Sequence, residues 1–194
     1  MITKEKSGKK SILLHSCCGP CSTAVIERLA PDFDICVFYY NPNITDAAEY
    51  EHRKAEQIRF LSESPFRIDF LEGEYKPACF FDCVRGFEGC KEGGERCRLC
   101  FELRLAETAR RAKELGFDFF DTTLSVSPYK NSKLIAEVGS QMAEKYGASY
   151  FGGNYKKKDG YKRSIELSKE YELYRQHFCG CVFSYEDAKR QGDL

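Results

Sequence analysis

Seven cysteines of this sequence fall in three short motifs that are suited to metal binding or redox chemistry. The motifs are C-C-x-x-C, C-x-x-C and C-x-C, and a gap of two residues lets two sulfurs converge on one centre about 2.3 Å away. Thiolate sulfur is a soft ligand that suits zinc and iron–sulfur clusters. The spacing therefore predicts a metal site. Its candidate ligands are Cys17, Cys18, Cys21, Cys97, Cys100, Cys179 and Cys181.

The number of thiols bears on the kind of metal centre. Tetrahedral zinc accepts four ligands, and a thioredoxin-like redox site needs a pair of cysteines. The seven sulfurs of the motifs exceed either requirement. A 4Fe-4S cluster also takes four cysteines, which leaves a surplus that could ligate a second metal beside it. We expect a cluster, with a zinc site and a redox dithiol as the alternatives.

Four further cysteines lie outside the motifs. Cys36 falls inside a strand pattern, where we expect it to be a small buried apolar residue. The spacing of Cys79, Cys83 and Cys90 is compatible with a second site, but unligated thiols in a helix and a loop are favoured.

Length and composition point to one globular domain of ordinary size. The chain has 194 residues, of which 42% are hydrophobic, and its 30 basic residues balance 30 acidic ones. A chain of this length buries roughly 70% of its unfolded surface, so it needs neither disulfides nor a structural metal to fold. A net charge of zero argues against coating nucleic acid through a global field, but it leaves room for a local basic patch.

The beginning of the chain is polar and basic and lacks the apolar stretch of a secretory signal. We therefore expect a cytoplasmic, reduced, disulfide-free protein in which spaced cysteines serve as ligands. No run approaches the roughly 18 apolar residues of a transmembrane helix. We accordingly expect no membrane-spanning segment.

Short apolar runs alternate with helical patterns along the chain. This alternation predicts an α/β fold with a doubly wound, mostly parallel sheet. Residues 77–95 hold four glycines and three cysteines and are expected to form a Cys-rich helical or loop insertion. The predicted strands are residues 11–15, 35–40, 66–71, 117–126 and 149–151, and the predicted helices are residues 23–29, 46–61, 98–115, 134–146 and 164–174.

Ligands of doubly wound sheets bind beyond the carboxyl ends of the strands, on the loops that lead into helices. This rule places residues 16–22, 41–45 and 127–131 on one rim. We expect a single α/β domain over residues 1–194 with its metal site at that rim. The site is then built from residues 17–21, 97–100 and 179–181.

Two other segments carry candidate binding residues. Residues 155–163 combine five basic side chains with two tyrosines, a mixture that suits an RNA backbone with unstacked bases; a solvated loop is the alternative. Residues 127–131 lie where a strand meets a helix. Tyr129 and Lys130 are therefore candidate proton donors or oxygen ligands, and a simple proline turn capped by Asn131 is the alternative.

Four motifs, in order, make the chain resemble a known family. They are HSCCGPC at residues 15–21, GGERCRLCF at 93–101, TTLSVSPYKN at 122–131 and YRQHFCGC at 174–181. Together they resemble the motifs of the cobalamin-independent epoxyqueuosine reductase family, QueH, over nearly the whole chain.

The resemblance implies a cytoplasmic oxidoreductase of tRNA processing. Such an enzyme deoxygenates the epoxide of epoxyqueuosine at the anticodon wobble position to give queuosine, the last step of queuosine biosynthesis. The resemblance also implies an iron–sulfur cofactor and a fold similar to the adenine nucleotide alpha-hydrolase-like (HUP) group. That group often carries a Gly/Ser-rich phosphate loop after its first strand, where this chain reads CCGPC at residues 17–21. The difference argues against ATP use.

Removal of the epoxide oxygen takes two electrons and two protons and releases water. We expect a 4Fe-4S cluster and an external electron donor. Either this donor reduces the cluster twice, or a neighbouring metal, such as an adjacent mononuclear iron, shares the load and binds the epoxide oxygen as a Lewis acid; the surplus thiols favour the second route. Tyr129 or Asp121 would protonate the departing oxygen. Phosphates of the tRNA would bind Lys130, Lys156, Lys157 and Arg163.

The surplus of thiols fits two adjacent metal centres. We expect four of six cysteines to hold the cluster and the other two to help bind the iron, with Cys21 outside this set. An iron–sulfur-dependent tRNA thiolase of the same fold and a zinc-stabilised RNA-binding module are the alternative functions. The six expected ligands are Cys17, Cys18, Cys97, Cys100, Cys179 and Cys181.

Overall fold

A computed structural model describes residues 8–192 of the chain. Its strands are β1 (Lys10–His15), β2 (Phe33–Tyr39), β3 (Ile68–Glu72) and β4 (Phe119–Thr122). They form one sheet in the order β3-β2-β1-β4, and every neighbouring pair is parallel. All four strands therefore end at the same edge.

Helices connect these strands and follow the last of them. Within residues 8–192, none of the helices is both long enough and apolar enough to cross a membrane. A short 3-10 helix, Thr123–Val126, directly follows β4. The α-helices are α1 (Gly19–Leu29), α2 (Ala47–Glu63), α3 (Pro77–Cys83), α4 (Glu95–Leu115), α5 (Ser132–Tyr146), α6 (Gly160–Glu170) and α7 (Val182–Gln191).

The sheet is buried on both faces, as expected for parallel strands covered by helices. Side chains along β1 alternate between the two cores. Ile12 and Leu14 pack with apolar residues of α1 and α2, whereas Leu13 packs on the opposite face with residues of α4 and α5. The strand order reverses direction beside β1. These features confirm the predicted doubly wound α/β fold.

The end of β4 differs from the prediction. The expected strand over residues 117–126 stops at Thr122, because the Thr122 hydroxyl accepts a hydrogen bond from the backbone N–H of Leu124 and the chain turns into the 3-10 helix. The short strand predicted at residues 149–151 is reduced to a single bridge between Phe120 and Tyr150.

Two helices, α3 and α7, are not among the helices predicted from the sequence. Helix α3 falls inside the predicted irregular insertion and begins at a proline, which fits the first turn of a helix. Helix α7 is capped by the Cys181 side chain, which accepts a hydrogen bond from the backbone N–H of Ser184. Helix α6 lies at residues 160–170, four residues earlier than predicted.

Candidate metal centre

The three cysteine motifs converge at the carboxyl edge of the sheet. The C-C-x-x-C motif spans the turn from β1 into α1, and the C-x-x-C motif lies in the first two turns of α4. The C-x-C motif directly precedes α7. Residues from all three motifs line two adjacent cavities together with the loops that follow β2 and β4. This placement confirms the predicted rim.

Cys17, Cys18 and Cys21 form the first cysteine group. Their sulfurs lie within 4.8 Å of one another, and no other set of three or more potential ligands among residues 8–192 packs this closely. The Sγ atoms of Cys17 and Cys18 are 4.0 Å apart. Sulfurs bound to one tetrahedral ion at about 2.3 Å stand about 3.8 Å from each other. The first cysteine group therefore has the spacing of a single-ion site, and it includes Cys21.

The thiols of this group differ in acidity. Hydrogen bonds from Cys17 and Cys21 hold the pKa of Cys18 well below its usual value against the opposing effect of burial, and the charge of Arg53 and a bond from Gln176 also lower it. The Gln176 side-chain N–H donates to the Cys18 sulfur at 3.0 Å. The pKa values of Cys17 and Cys21 are raised, so Cys18 is the most acidic thiol of the group.

Cys97, Cys100, Cys179 and Cys181 form the second cysteine group. All four line one cavity, which we call the four-cysteine cavity. Backbone N–H groups point at two of the sulfurs: Gly93 N donates to Cys97 Sγ at 3.2 Å and Ser184 N to Cys181 Sγ at 3.4 Å. The four cysteines line a cavity, and their sulfurs are not packed as closely as those of the first cysteine group. This arrangement suits a cluster better than a single ion.

Burial makes three thiols of the second cysteine group less acidic. It raises the pKa of both Cys100 and Cys181 to about 12 and also raises the pKa of Cys97. A metal must therefore displace protons to bind these sulfurs, and its affinity should increase with pH.

Buried polar atoms without partners face the four-cysteine cavity. Three residues that line this cavity have side-chain atoms with no hydrogen-bond partner among the described residues. These atoms are both terminal nitrogens of Arg104, the Nε of Arg96 and the amide group of Asn43. Burying such atoms is costly unless a partner is supplied. The four thiols around this cavity could ligate a metal group, and the two guanidinium groups could balance the negative charge of its thiolate ligands.

The second cavity opens beside the first and has mostly polar walls. This polar cavity is lined by Cys17 and Cys21 and by Tyr161, Arg175 and His177, among others. The two cavities share wall residues, and Cys97 packs in one apolar cluster with Cys17, Cys18 and Cys21, so the two cysteine groups are neighbours at this edge of the sheet. The shared residues are Glu92, Tyr129, Lys130, Cys179 and Ser184.

The two predicted proton donors occupy very different positions. Tyr129 is 81% exposed and belongs to the shared wall. Asp121 is fully buried on β4 and is not among the residues that line either cavity. Its carboxylate accepts hydrogen bonds from the Tyr155 hydroxyl at 2.6 Å and from the backbone N–H groups of Gly153 and Thr122. These bonds fix the segment that follows the bridge at Tyr150.

The four predicted tRNA-binding residues also differ in their exposure and in their partners. Lys130 is half-buried in the shared wall, and Lys157 is exposed. The Lys156 ammonium donates to the backbone oxygens of Pro128 and Lys130, so it supports the loop that carries Tyr129. Arg163 forms two hydrogen bonds with the carboxylate of Glu27, which already neutralises its charge.

Sequence patterns gave no reason to expect the structural role of Arg53. This residue of α2 is 1% exposed and donates to the backbone oxygens of Cys179 at 3.1 Å and Phe178 at 3.2 Å, while its Nε pairs with Glu49. Gly180 lies close by with φ of +112°, and a Cβ there would approach Arg53 Nη1 at 3.1 Å. The C-x-C motif is therefore tethered to α2.

The remaining cysteines lie outside the two groups, and all eleven cysteines are free of disulfides. Cys36 is buried in the apolar core on β2, as predicted. Cys79 and Cys83 lie on α3, and Cys83 Sγ donates to the backbone oxygen of Leu99 at 3.4 Å. Cys90 is half-buried in the loop before α4.

The fold and the site define a doubly wound α/β protein whose cysteines are placed to bind metal. A family model described as Epoxyqueuosine reductase QueH matches residues 12–187. The chain belongs to this family.

Curated relatives with the name Epoxyqueuosine reductase QueH support the same assignment. The relative from Streptococcus pyogenes serotype M1 is 43% identical over 98% of this chain and 75% of its own length. The Staphylococcus epidermidis relative is 40% identical over 97% of this chain and 81% of its own length. The Thermotoga maritima relative is 36% identical over 90% of both chains.

Replacing Arg53 by Met should destabilise the protein strongly. The change removes the ion pair with Glu49 and the donor to the backbone oxygens of Cys179 and Phe178, so we expect a loss of about 3–5 kcal/mol in the free energy of unfolding. Arg110→Met is the control, because the Arg110 side chain is 42% exposed and pairs with glutamates of its own helix; it should cost about 1 kcal/mol or less. Equal losses in denaturant titrations would contradict the tether.

Asp121→Asn should remove a pH dependence of stability. Burial raises the pKa of Asp121 from 3.8 to about 6. Between these values the folded protein holds a proton that the unfolded chain has lost, so this stabilising contribution is complete below pH 3.8 and is lost as pH rises through about 6. The stability of the wild type relative to Asp121→Asn should thus fall by roughly 3 kcal/mol over this window. A difference that does not change with pH would refute the shift.

Proposed function

We propose that this chain is an epoxyqueuosine reductase, which converts the epoxide of epoxyqueuosine in tRNA to the alkene of queuosine. The observation that carries the proposal is the pair of neighbouring cysteine groups at the carboxyl edge of the sheet, in a chain that belongs to the QueH family. Reduction of an epoxide with loss of water consumes two electrons and two protons. A site with two metal centres and an open polar cavity meets that requirement.

The second cysteine group is proposed to hold a 4Fe-4S cluster. Four thiols around one cavity, two facing guanidinium groups and two backbone N–H donors support this assignment. When bound, the cluster supplies the electrons, which it receives from an external donor. Backbone and guanidinium donors would stabilise the negative charge of the thiolates around it.

The first cysteine group is proposed to hold a single iron. Its close sulfurs, the low pKa of Cys18 and its position at the polar cavity support this assignment. Cys21 is then a ligand, in contrast to the set of six expected from the sequence. The sequence could not favour Cys21 because only the turn from β1 into α1 brings its sulfur next to Cys17 and Cys18.

The polar cavity is proposed to receive the modified base. Tyr129 is the better proton donor of the two candidates, because its exposed hydroxyl-bearing side chain lies in the wall that both cavities share. The carboxylate of Asp121 is occupied by three donors away from that wall, and we assign it a structural role. Lys130, in the same wall, is proposed to bind a phosphate of the tRNA.

The surface beyond this wall is proposed to contact tRNA. Lys157 is exposed in the basic segment that precedes α6, where a phosphate can reach it. Lys156 contributes through the loop that it supports, and the charge of Arg163 is already balanced by Glu27. Family membership supports the reductase over the tRNA thiolase and the zinc-stabilised RNA-binding module.

Replacing Cys97 or Cys179 by Ala should abolish the cluster and the activity together. Each change removes one sulfur of the second cysteine group, and a cluster needs all four. Cys90→Ala is the matched control, because this half-buried thiol lies outside both groups. Iron, acid-labile sulfide and visible absorption are measured with turnover of epoxyqueuosine tRNA. Full colour and activity in Cys97→Ala would rule out the proposed ligand set.

Replacing Lys157 by Ala should weaken tRNA binding through one lost phosphate contact. The slope of log K against log salt should then decrease by about 0.7–0.9. Lys113→Ala is the control, because Lys113 is exposed at the far end of α4. Binding is measured at several salt concentrations. If both variants keep the wild-type slope, Lys157 faces solvent in the complex.

A further inference from the structure

The buried guanidinium of Arg104 lacks hydrogen-bond partners for some of its nitrogen atoms among the described residues. It lies on α4, is 1% exposed and lines the four-cysteine cavity. Its Nε donates to the backbone oxygen of Cys100 at 3.3 Å, but neither terminal nitrogen has a hydrogen-bond partner within the described residues. An unpaired buried cation costs several kcal/mol. The geometry therefore requires an anionic partner inside the cavity.

The surroundings of Arg104 identify the chemistry of that partner. Thiols from both cysteine groups lie close enough for their charges to act on the guanidinium once they are deprotonated. They are those of Cys100, Cys179, Cys17 and Cys97. The centroid of the Phe101 ring lies 5.7 Å from the guanidinium carbon of Arg104.

We propose that Arg104 is a positioning residue that donates hydrogen bonds to the sulfur atoms of the cluster and raises its reduction potential. A cluster held by four thiolates is negatively charged, and reduction adds a further electron. A fixed positive charge beside it stabilises the reduced state more than the oxidised state. Hydrogen bonds to sulfur and net charge are established determinants of cluster potentials. This inference rests on the cluster proposed above.

The test is a redox titration of the reconstituted full-length protein, followed by the EPR signal of the reduced state. In Arg104→Gln the ratio of reduced to oxidised cluster at the wild-type midpoint should fall at least tenfold, a shift of about 59 mV to lower potential. Arg104→Lys keeps the charge and should shift less. Arg110→Gln is the control, because Arg110 lies on the same helix but is exposed and paired with Glu107. It should keep the wild-type potential.

The possible outcomes distinguish a failure of the role of Arg104 from a failure of the proposed cluster. An unchanged potential in Arg104→Gln, or an equal shift in the Arg110 variant, overturns the role of Arg104 while leaving the cluster in place. If Arg104→Gln does not load a cluster but Arg104→Lys does, the need for the positive charge is supported; failure of both variants contradicts it. Wild-type protein without iron and sulfide would refute the proposed cofactor itself, and this inference with it.

Discussion

Two arginines of α4 bury their positive charge next to the thiols of the second cysteine group. Arg96 and Arg104 lie on α4, are buried and face the four-cysteine cavity with nitrogen atoms that have no partner among the described residues. A cation removed from water needs an anion close by. The sulfurs of the C-x-x-C and C-x-C motifs surround the same cavity and can supply that negative charge once they are deprotonated. Metal binding and charge compensation are thus one event.

The sheet makes this convergence possible. Parallel strands end at one edge, so the turn after β1 and the loops after β2 and β4 meet there. Side chains then fix the loops to each other: Asn41 donates to the backbone oxygen of Ser16 at 2.9 Å, and Arg53 holds the C-x-C motif against α2. The cysteines lie on segments whose positions are determined by buried hydrogen bonds, which limits how far the site can relax when no metal is bound.

The sequence was sufficient for the architecture and for the rim, because both follow from local rules. Strand and helix patterns predicted the doubly wound fold, and the rule for strand ends placed residues 16–22, 41–45 and 127–131 together. The sequence alone could not divide the cysteines into two groups, because the division depends on which sulfurs come together at the edge of the sheet in the folded chain. The shared wall, the burial of Asp121 and the pairing of Arg163 with Glu27 are likewise long-range contacts. Spacing along the chain contains no signal for any of them.

Metal and sulfide analysis of the anaerobically purified protein shows whether the two cysteine groups hold two metal centres. We predict about five irons and about four acid-labile sulfides per chain, with a broad visible absorption and an EPR signal that appears on reduction. Cys18→Ala should lose about one iron and keep the sulfide. A colourless wild-type protein with one zinc and no sulfide after anaerobic reconstitution would rule out the iron–sulfur site.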